Sequence, residues 1–406
     1  MQAVTLFAMN KVASVRCAFL HLSLAVALGS LLAGCAVAEP GESASSVQMI
    51  VAEVKVTAPD PQPYTFFGHA VAIEGDRAVV GAWGLDANAG AAYVFKEDEG
   101  NWQLEETLRA PEGSARDRFG HAVALFEDTI VVGAVHDATT GFRAGAAHVF
   151  SREAGEWVHV QKLTSPEPVS YQQFGSAVAT YGDALVIGAS GFSKRAAYVY
   201  ERAAESWELA QVLTPRAEDS DTRFGSTLAL HGPTLVVGAW RDEPHDDDVL
   251  QAGGTAYVFE RQDGRWQASA VLQGPVGAPA FGNAVATDGV TIVVTTPSQG
   301  AHVYTSEDGS WRQDATLSAM ARRHYGTSVA VYGDNIFVGA SGQAGAAYEY
   351  GRQDGMWSLK RKITAADGTE SLHFGLAAAV SGQRFIAGAT GADDGGVASG
   401  AAYLLP

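Results

Sequence analysis

The chain has 406 residues, of which 47 % are hydrophobic, 46 are glycine and 14 are proline. This composition is too apolar for a disordered protein and is typical of short strands joined by tight turns. The formal net charge of −18 at pH 7 argues against a nucleic-acid partner, since such partners are bound through Lys and Arg at the phosphates. Cys17 and Cys35 are the two cysteines, so the chain after Cys35 folds without disulfides.

The N-terminal segment has the order of residues that is typical of a secretory signal peptide. Lys11 and Arg16 provide positive charge, and an apolar run over residues 17–32 follows. We therefore predict a signal peptide over residues 1–34.

The signal segment ends in Leu32-Ala33-Gly34-Cys35, which resembles a bacterial lipobox. The resemblance implies that the Cys35 thiol is alkylated by diacylglycerol and that Cys35 becomes the mature N-terminus. Two alternatives remain, an ordinary cleaved signal and an uncleaved transmembrane anchor. We predict a flexible tether at 35–46 and a protein that is secreted across the inner membrane and anchored in the bacterial cell envelope by the Cys35 lipid.

The chain after the tether is repetitive, with a period near 50 residues that is typical of propellers and other repeat folds. An aromatic-Gly pair marks each unit, and a small-residue strand follows it. A second strand ends in Gly-Ala, and this glycine lies 14 residues after the aromatic residue in six units, with Thr295 replacing it in the fifth. The seven pairs are Phe67-Gly68, Phe119-Gly120, Phe174-Gly175, Phe224-Gly225, Phe281-Gly282, Tyr325-Gly326 and Phe374-Gly375.

Two further strands complete each unit. The third has the form Ala-Ala-Tyr-Val-Phe, and a tryptophan follows nine residues after its central ring. A Leu or Ile lies six residues beyond each tryptophan, and this even spacing puts both on one face of a fourth strand. Four strands per unit predict an all-β, seven-bladed β-propeller at 47–406. We expect six tryptophans to pack between blades: Trp102, Trp157, Trp207, Trp266, Trp311 and Trp357.

The seventh unit lacks a fourth strand of its own, and the N-terminal residues supply one. Val56 lies 11 residues before Phe67, the same distance that separates Leu108 from Phe119. Ile50 then takes the position of the tryptophan. We therefore predict that residues 47–57 form the outer strand of the last blade and close the ring without an exposed sheet edge.

These repeats resemble the FG-GAP family, whose propellers occur in integrin α chains and in many bacterial surface proteins. The resemblance implies a propeller over nearly all of the mature chain and leaves the function open, since one fold hosts many activities. In integrin-like members the turn between the first two strands carries an Asp-x-Asp-x-Asp-Gly run, which suits calcium. Here the corresponding turns, such as Glu74-Gly75-Asp76, are too short to surround an ion. We predict no metal and no cofactor in them.

The sequence offers few other groups for catalysis or metal binding. His69 and His121 directly follow an aromatic-Gly pair, but no base or nucleophile recurs near them, so we predict no catalytic residue. The acidic stretch 242–248 and the pair Asp393-Asp394 are candidates for a cation such as calcium, with a solvated loop as the stronger explanation.

Length variation among the units is confined to the loop between the second and third strands and to the link that enters the next blade. Both emerge on one face of a propeller, and variable loops on a rigid scaffold are where binding specificity resides. We predict that this face contacts a partner through the loops 83–90, 135–145, 240–253 and 390–400. The candidate contact residues are Trp83, Trp240, Arg241, Asp246, Asp247 and Asp248.

Three classes of function are open. The favoured one is a non-catalytic binding or adhesion protein whose partner is a protein or a glycan. A structural or assembly component of the envelope is the alternative, and a hydrolase ranks last. An exposed aromatic patch on the variable face favours binding, whereas ordered carboxylates with a histidine around the central channel favour an enzyme.

Overall fold

The computed structural model places all seven repeats in the unit Val47–Pro406. The signal segment, the tether and Cys35 lie outside the residues that it describes. Within those residues no helix has both the length and the apolar character that a membrane crossing requires. The described residues are 48–52, 54–217, 222–240, 253–275, 278, 280–297, 299–318, 324–368 and 371–405.

The described residues fold into seven antiparallel sheets of four strands each, apart from one added strand, β1 (Gln48–Ala52). Each sheet is one blade. In blades one to six the four strands follow the chain from the inside of the ring outwards, and in blade seven β2 (Val54–Val56) is the outermost strand. One helical turn, α1 (Leu85–Asn88), lies between β4 and β5. The other strands are β2 (Val54–Val56); blade one, β3 (Ala70–Glu74), β4 (Arg77–Ala82), β5 (Ala91–Asp98), β6 (Asn101–Leu108); blade two, β7 (Phe119–Phe126), β8 (Thr129–Ala134), β9 (Ala146–Glu153), β10 (Glu156–Leu163); blade three, β11 (Phe174–Tyr181), β12 (Ala184–Ala189), β13 (Ala196–Ala203), β14 (Ser206–Leu213); blade four, β15 (Arg223–His231), β16 (Thr234–Trp240), β17 (Thr255–Gln262), β18 (Arg265–Gln273); blade five, β19 (Val285–Thr287), β20 (Thr291–Thr296), β21 (Gly300–Glu307), β22 (Ser310–Leu317); blade six, β23 (Tyr325–Tyr332), β24 (Asn335–Ala340), β25 (Ala346–Gln353), β26 (Met356–Ala365); and blade seven, β27 (Ala378–Ser381), β28 (Arg384–Ala389), β29 (Ala401–Leu405).

The seven blades form a closed ring. The first strand of each blade contacts the first strand of the next, and β27 of the last blade contacts β3 of the first. The second and third strands are almost wholly buried, because neighbouring blades cover both of their faces. At one face of the ring, backbone hydrogen bonds also join the blades, as where Phe119 N donates to Ala89 O and Phe67 N donates to Ser399 O. The predicted seven-bladed β-propeller is confirmed.

The glycine at the end of the second strand is required by the close packing of neighbouring blades. A Cβ atom on Gly81 of blade one would lie 2.0 Å from the carbonyl oxygen of Gly120 in blade two. The same near contact recurs at five further blade junctions, where the distances lie between 1.8 and 2.4 Å. A side chain at the second-strand glycine would therefore push two blades apart.

The tryptophans pack between blades, as predicted. Trp157 lies in one apolar cluster with Val94 and Leu108 of the preceding blade, and its Nε1 donates to the Glu105 carboxylate of that blade at 3.2 Å. Trp207 is held by a reciprocal pair of hydrogen bonds, in which its N and O bond the Gln161 side chain at 2.8 and 3.0 Å.

The closure of the ring differs in part from the prediction. Val54–Val56 pairs antiparallel with β29, and Val56 faces Ala402 just as Leu108 faces Ala92, so this part of the prediction is confirmed. The placement of Ile50 in the last blade is wrong. Gln48–Ala52 instead pairs parallel with β26, as a fifth strand of blade six. β29 ends at Leu405, whereas β26 extends to Ala365 and places Ile363 opposite Ile50.

Candidate binding face

The two faces of the ring differ in their connections. Short turns join the first strand to the second and the third to the fourth, and they form the short-turn face. The loops between second and third strands and the links to the next blade form the variable-loop face. The four predicted contact loops follow β4, β8, β16 and β28, so all start on the variable-loop face. Trp83 and Trp240 lie there, whereas Arg241 and the run Asp246, Asp247 and Asp248 lie outside the described residues.

Trp83 is enclosed by aromatic and cationic neighbours. Its ring stacks on Phe66 with centroids 4.6 Å apart and an interplanar angle of 15°. The Arg118 guanidinium carbon lies 4.5 Å from the Trp83 ring centroid, within range of a cation–π interaction. His69 meets the same ring edge-on at 5.9 Å. Trp83 therefore anchors a packed cluster and presents no free ring face.

A second cluster lies over blades two and three. Phe142 and Tyr171 are in edge contact with centroids 5.2 Å apart, and the Arg143 guanidinium lies 5.4 and 5.9 Å from these two rings. Phe192 adjoins it, because its backbone N donates to Tyr171 O at 3.1 Å.

The cluster continues into blade four. The Arg223 guanidinium lies 5.5 Å from the Phe192 ring and 5.0 Å from the Trp240 ring, so the cation sits between two aromatic groups. These contacts form a surface across blades one to four, which we call the aromatic–arginine surface: Phe66, Trp83, Arg118, Phe142, Arg143, Tyr171, Phe192, Arg223 and Trp240.

Three rings of this surface are open to solvent. Phe142, Tyr171 and Phe192 are 56 %, 41 % and 68 % exposed. Tyr64, which is also exposed, extends the aromatic row beyond Phe66 with a centroid distance of 6.4 Å. The variable-loop face therefore carries the exposed aromatic patch that the sequence analysis associates with binding.

The histidines beneath this surface are neutral at pH 7. Burial, with a smaller effect of the Arg118 charge, lowers the pKa of His69 to about 4. Burial lowers the pKa of His121 to about 3, and burial together with Arg118 and Arg143 lowers the pKa of His136 to about 4. The positive charge of the site therefore resides on the arginines.

The model of the FG-GAP repeat matches residues 51–95, 102–150, 157–200, 207–259 and 357–405, which is more than half of the chain. The chain belongs to the FG-GAP repeat family. Each matched segment comprises the fourth strand of one blade and the first three strands of the next. The stretch 260–356 is not matched, and it contains the two departures from the repeat, Thr295 and Tyr325.

Solved structures share the propeller fold. A protein from Lactobacillus plantarum aligns with 15 % identity and a TM-score of 0.53 over 82 % of this chain and 99 % of its own. A chain of the mitotic checkpoint complex aligns with 13 % identity and a TM-score of 0.56 over 91 % of this chain and 98 % of its own. The Myceliophteria thermophila Cps50 (Swd1) β-propeller domain aligns with 10 % identity and a TM-score of 0.57 over 87 % of this chain and 98 % of its own. At these identities the likeness shows the fold alone. No curated protein matches the chain.

Acidic side chains on the variable-loop face of this FG-GAP propeller are already engaged. Asp137 is buried and pairs with Lys162 at 2.7 Å. Buried Asp117 accepts a hydrogen bond from Ser114 N at 2.7 Å, and burial raises its pKa. Asp86 pairs with Arg109 at 2.7 Å. These carboxylates stabilise loops of the variable-loop face.

Asp393 and Asp394, a candidate cation site, also have structural partners. Asp393 Oδ1 accepts a hydrogen bond from Ala398 N at 2.7 Å, and Asp394 pairs with Lys55 at 2.5 Å. The acidic stretch 242–248 lies outside the described residues. Within the described part of the chain, no group of three or more His, Cys, Asp or Glu is placed to hold a metal ion.

On the short-turn face, Glu74, His231 and Asp288 lie in or beside the turns between first and second strands, and they have structural contacts. Asp288 uses both oxygens on backbone donors, with Thr291 N at 2.7 Å and Gly333 N at 3.0 Å. Glu74 accepts a hydrogen bond from Glu127 N. The His231 ring contacts Tyr181 with centroids 4.4 Å apart. The carboxylates therefore fix turns between neighbouring blades.

Sequence reasoning found the two tryptophans of the surface and missed most of its other members. Arg118 and Arg223 do carry a signal, since each directly precedes an aromatic-Gly pair of an FG-GAP unit, where five other units hold other residues. Phe142, Tyr171 and Phe192 lie in irregular loops of different blades, and only the ring brings them together.

Proposed function

We propose that this FG-GAP propeller is a lipid-anchored, non-catalytic binding or adhesion protein of the bacterial cell envelope, which engages a protein or a glycan through its variable-loop face. The observation that carries the proposal is the aromatic–arginine surface. Aromatic residues and arginine are the types that dominate binding energy at interfaces, and here they lie side by side on one face.

The scaffold beneath the surface suits this role. Phe142, Tyr171 and Phe192 belong to three connections of two blades, and backbone hydrogen bonds fix those connections, as where Phe174 N donates to Ala144 O at 2.8 Å. Rigid aromatic groups lose little conformational entropy when they bind, so a preorganised surface of this kind favours affinity.

Capture from envelope extract tests the proposal. The full-length protein, purified in detergent and immobilised, is incubated with extract, and bound material is identified. In one variant a Gly-Ser link replaces residues 242–250, and in another the exposed rings Phe142 and Phe192 are replaced by Ser. The control carries Met356→Ser, which removes a side chain of similar exposure, 71 %, from the short-turn face.

We expect the loop and ring variants to lose capture at an unchanged melting temperature, while the control retains it. If all variants capture the same partner equally, the binding site lies elsewhere. If the wild-type protein itself captures nothing beyond what an empty support retains, the structural or assembly role replaces the binding role.

A further inference from the structure

Two arginines of the aromatic–arginine surface have no acidic partner. Arg118 and Arg143 contact aromatic rings, and no carboxylate of the described residues lies within ion-pair distance of either. Several other arginines of the described residues form ion pairs, as Arg77 does with Glu105 at 3.1 Å and Arg261 with Glu201 at 2.8 Å. In a chain of net charge −18, two guanidiniums on one face that lie against aromatic rings and not against a carboxylate offer a place for an external anion.

The two arginines lie on adjoining segments of the variable-loop face. His136 N, in the loop that carries Arg143, donates to the backbone carbonyl oxygen of Asp117, the neighbour of Arg118, at 3.0 Å. Burial lowers the pKa of Arg118, and repulsion by the charge of Arg143 lowers it further. An anion between them would relieve this repulsion. A guanidinium that lies over an aromatic ring keeps its N–H donors in its own plane, where they can bind a carboxylate in a bidentate manner.

Two polar side chains beside Arg118 have buried ring nitrogens without a hydrogen-bond partner among the described residues. These nitrogens are Trp83 Nε1 and His121 Nδ1. His136, which is buried, contributes no charge at pH 7 because its pKa is lowered to about 4 by burial, Arg118 and Arg143. Each buried polar group without a hydrogen-bond partner requires an explanation, and a ligand that completes the bonding is one.

We propose that Arg118 and Arg143 together bind the carboxylate of an Asp or Glu side chain of a protein partner, with neighbouring apolar side chains of that partner packing on Phe142, Tyr171 and Phe192. This inference rests on the proposed function, and it adds the class of partner and the contact that selects it.

The surface favours a protein over a glycan. Recognition of sugar hydroxyls needs free carboxylate or amide groups beside the rings, but Asp117 and Asp137 of this face are buried and engaged. Glu167 is paired with Lys194 at 2.7 Å. Among the described residues, the exposed rings and the two guanidiniums are available, and together they complement an acidic side chain with apolar neighbours.

Peptide selection tests the inference on the full-length protein, purified in detergent. A displayed library of short random peptides is selected on the wild-type protein, and enriched sequences are synthesised in two forms, as selected and with each Asp or Glu replaced by Asn or Gln. Affinities are measured by fluorescence polarisation. The variants are Arg143→Ala, Arg118→Lys and, as a matched control, Arg265→Ala, which removes an exposed arginine from the short-turn face.

We expect the selection to enrich Asp or Glu beside aromatic or aliphatic residues. Neutralising the acidic residue and Arg143→Ala should each weaken binding about tenfold, and their effects should not add, since both remove one charge-assisted contact. Arg118→Lys should also weaken binding, because an ammonium lacks the planar fork. Arg265→Ala should leave the affinity unchanged.

Three results would overturn the inference. Enriched peptides without acidic residues, or peptides that bind the Arg143→Ala protein with unchanged affinity, would leave the face a binding surface of another chemistry. Failure of all peptides, combined with Arg143-dependent binding of oligogalacturonate and not of a neutral oligosaccharide, would show that the anion belongs to a glycan. Loss of peptide binding only with Arg265→Ala would place the site on the opposite face and refute the proposed function as well.

Discussion

The contact between glycines of neighbouring blades gives a direct test of how the ring is packed. We consider Gly188→Ala, in which a Cβ at the end of β12 would lie 2.0 Å from the carbonyl oxygen of Gly225 in the next blade. An ordinary contact between carbon and oxygen needs about 3.3 Å, so the blades would have to separate by about 1.3 Å at this point. Both atoms belong to backbone that is buried in a sheet, which prevents a local adjustment.

Overpacking of this kind costs about 3 kcal/mol, the upper end of the usual range, because no flexible side chain can give way. With an unfolding entropy of about 2.1 cal/mol/K per residue over the unit Val47–Pro406, that cost lowers Tm by about 4 °C. The matched control is Gly368→Ala, whose new Cβ would have Ala365 O at 3.5 Å as its nearest neighbour. Calorimetry at one scan rate measures the Tm of both variants and of the wild-type protein. Equal Tm values would refute the packing argument.

Three further predictions concern the anchor, the closure and pH. Cys35→Ser should move the protein from the detergent-extracted membrane fraction to the soluble fraction, and a variant that stays membrane-bound would contradict lipidation. Deletion of residues up to 59 removes the strand that pairs with β29, so aggregation or a large loss of stability should follow, and an unchanged melting curve would exclude this closure. His69 has a pKa of about 4 when folded and about 6.5 when unfolded, so the unfolded chain binds more protons between these values and stability falls as pH decreases from 6.5 to 4. The variant His69→Ser carries the residue that blades three and four have at this position, and it should reduce the loss of stability at low pH by on the order of 2 kcal/mol. Parallel curves of Tm against pH for the wild-type and variant proteins would contradict the lowered pKa of His69.

The fold was predictable because the residue pattern of one four-stranded blade recurs along the chain. Six of the seven units contain the close contact between glycines and six contain the tryptophan between blades, so seven imperfect copies fix the number of strands and blades. The closure was predictable only in part. The distance from Val56 to Phe67 places Val54–Val56 correctly, but no pattern in the sequence shows that Gln48–Ala52 pairs with β26.

The candidate site was less predictable than the fold. Trp83 and Trp240 stand out because they occupy a position where other units hold small or aliphatic residues. The pairing of Arg118 with Trp83 crosses a blade junction, whereas Arg223 and Trp240 belong to one blade. Arg223 and Trp240 face each other on β15 and β16, whereas the contact between Arg118 and Trp83 depends on connections outside the strands.

Site-specific photo-crosslinking in the native host tests most directly whether the variable-loop face is the binding face. A benzophenone amino acid replaces Phe192 in one strain and Met356 in another. The two side chains are 68 % and 71 % exposed and lie on opposite faces, so the probe is equally accessible in both proteins. We predict a crosslinked partner from position 192 and none from position 356. A partner that crosslinks from 356 and not from 192 would contradict the account.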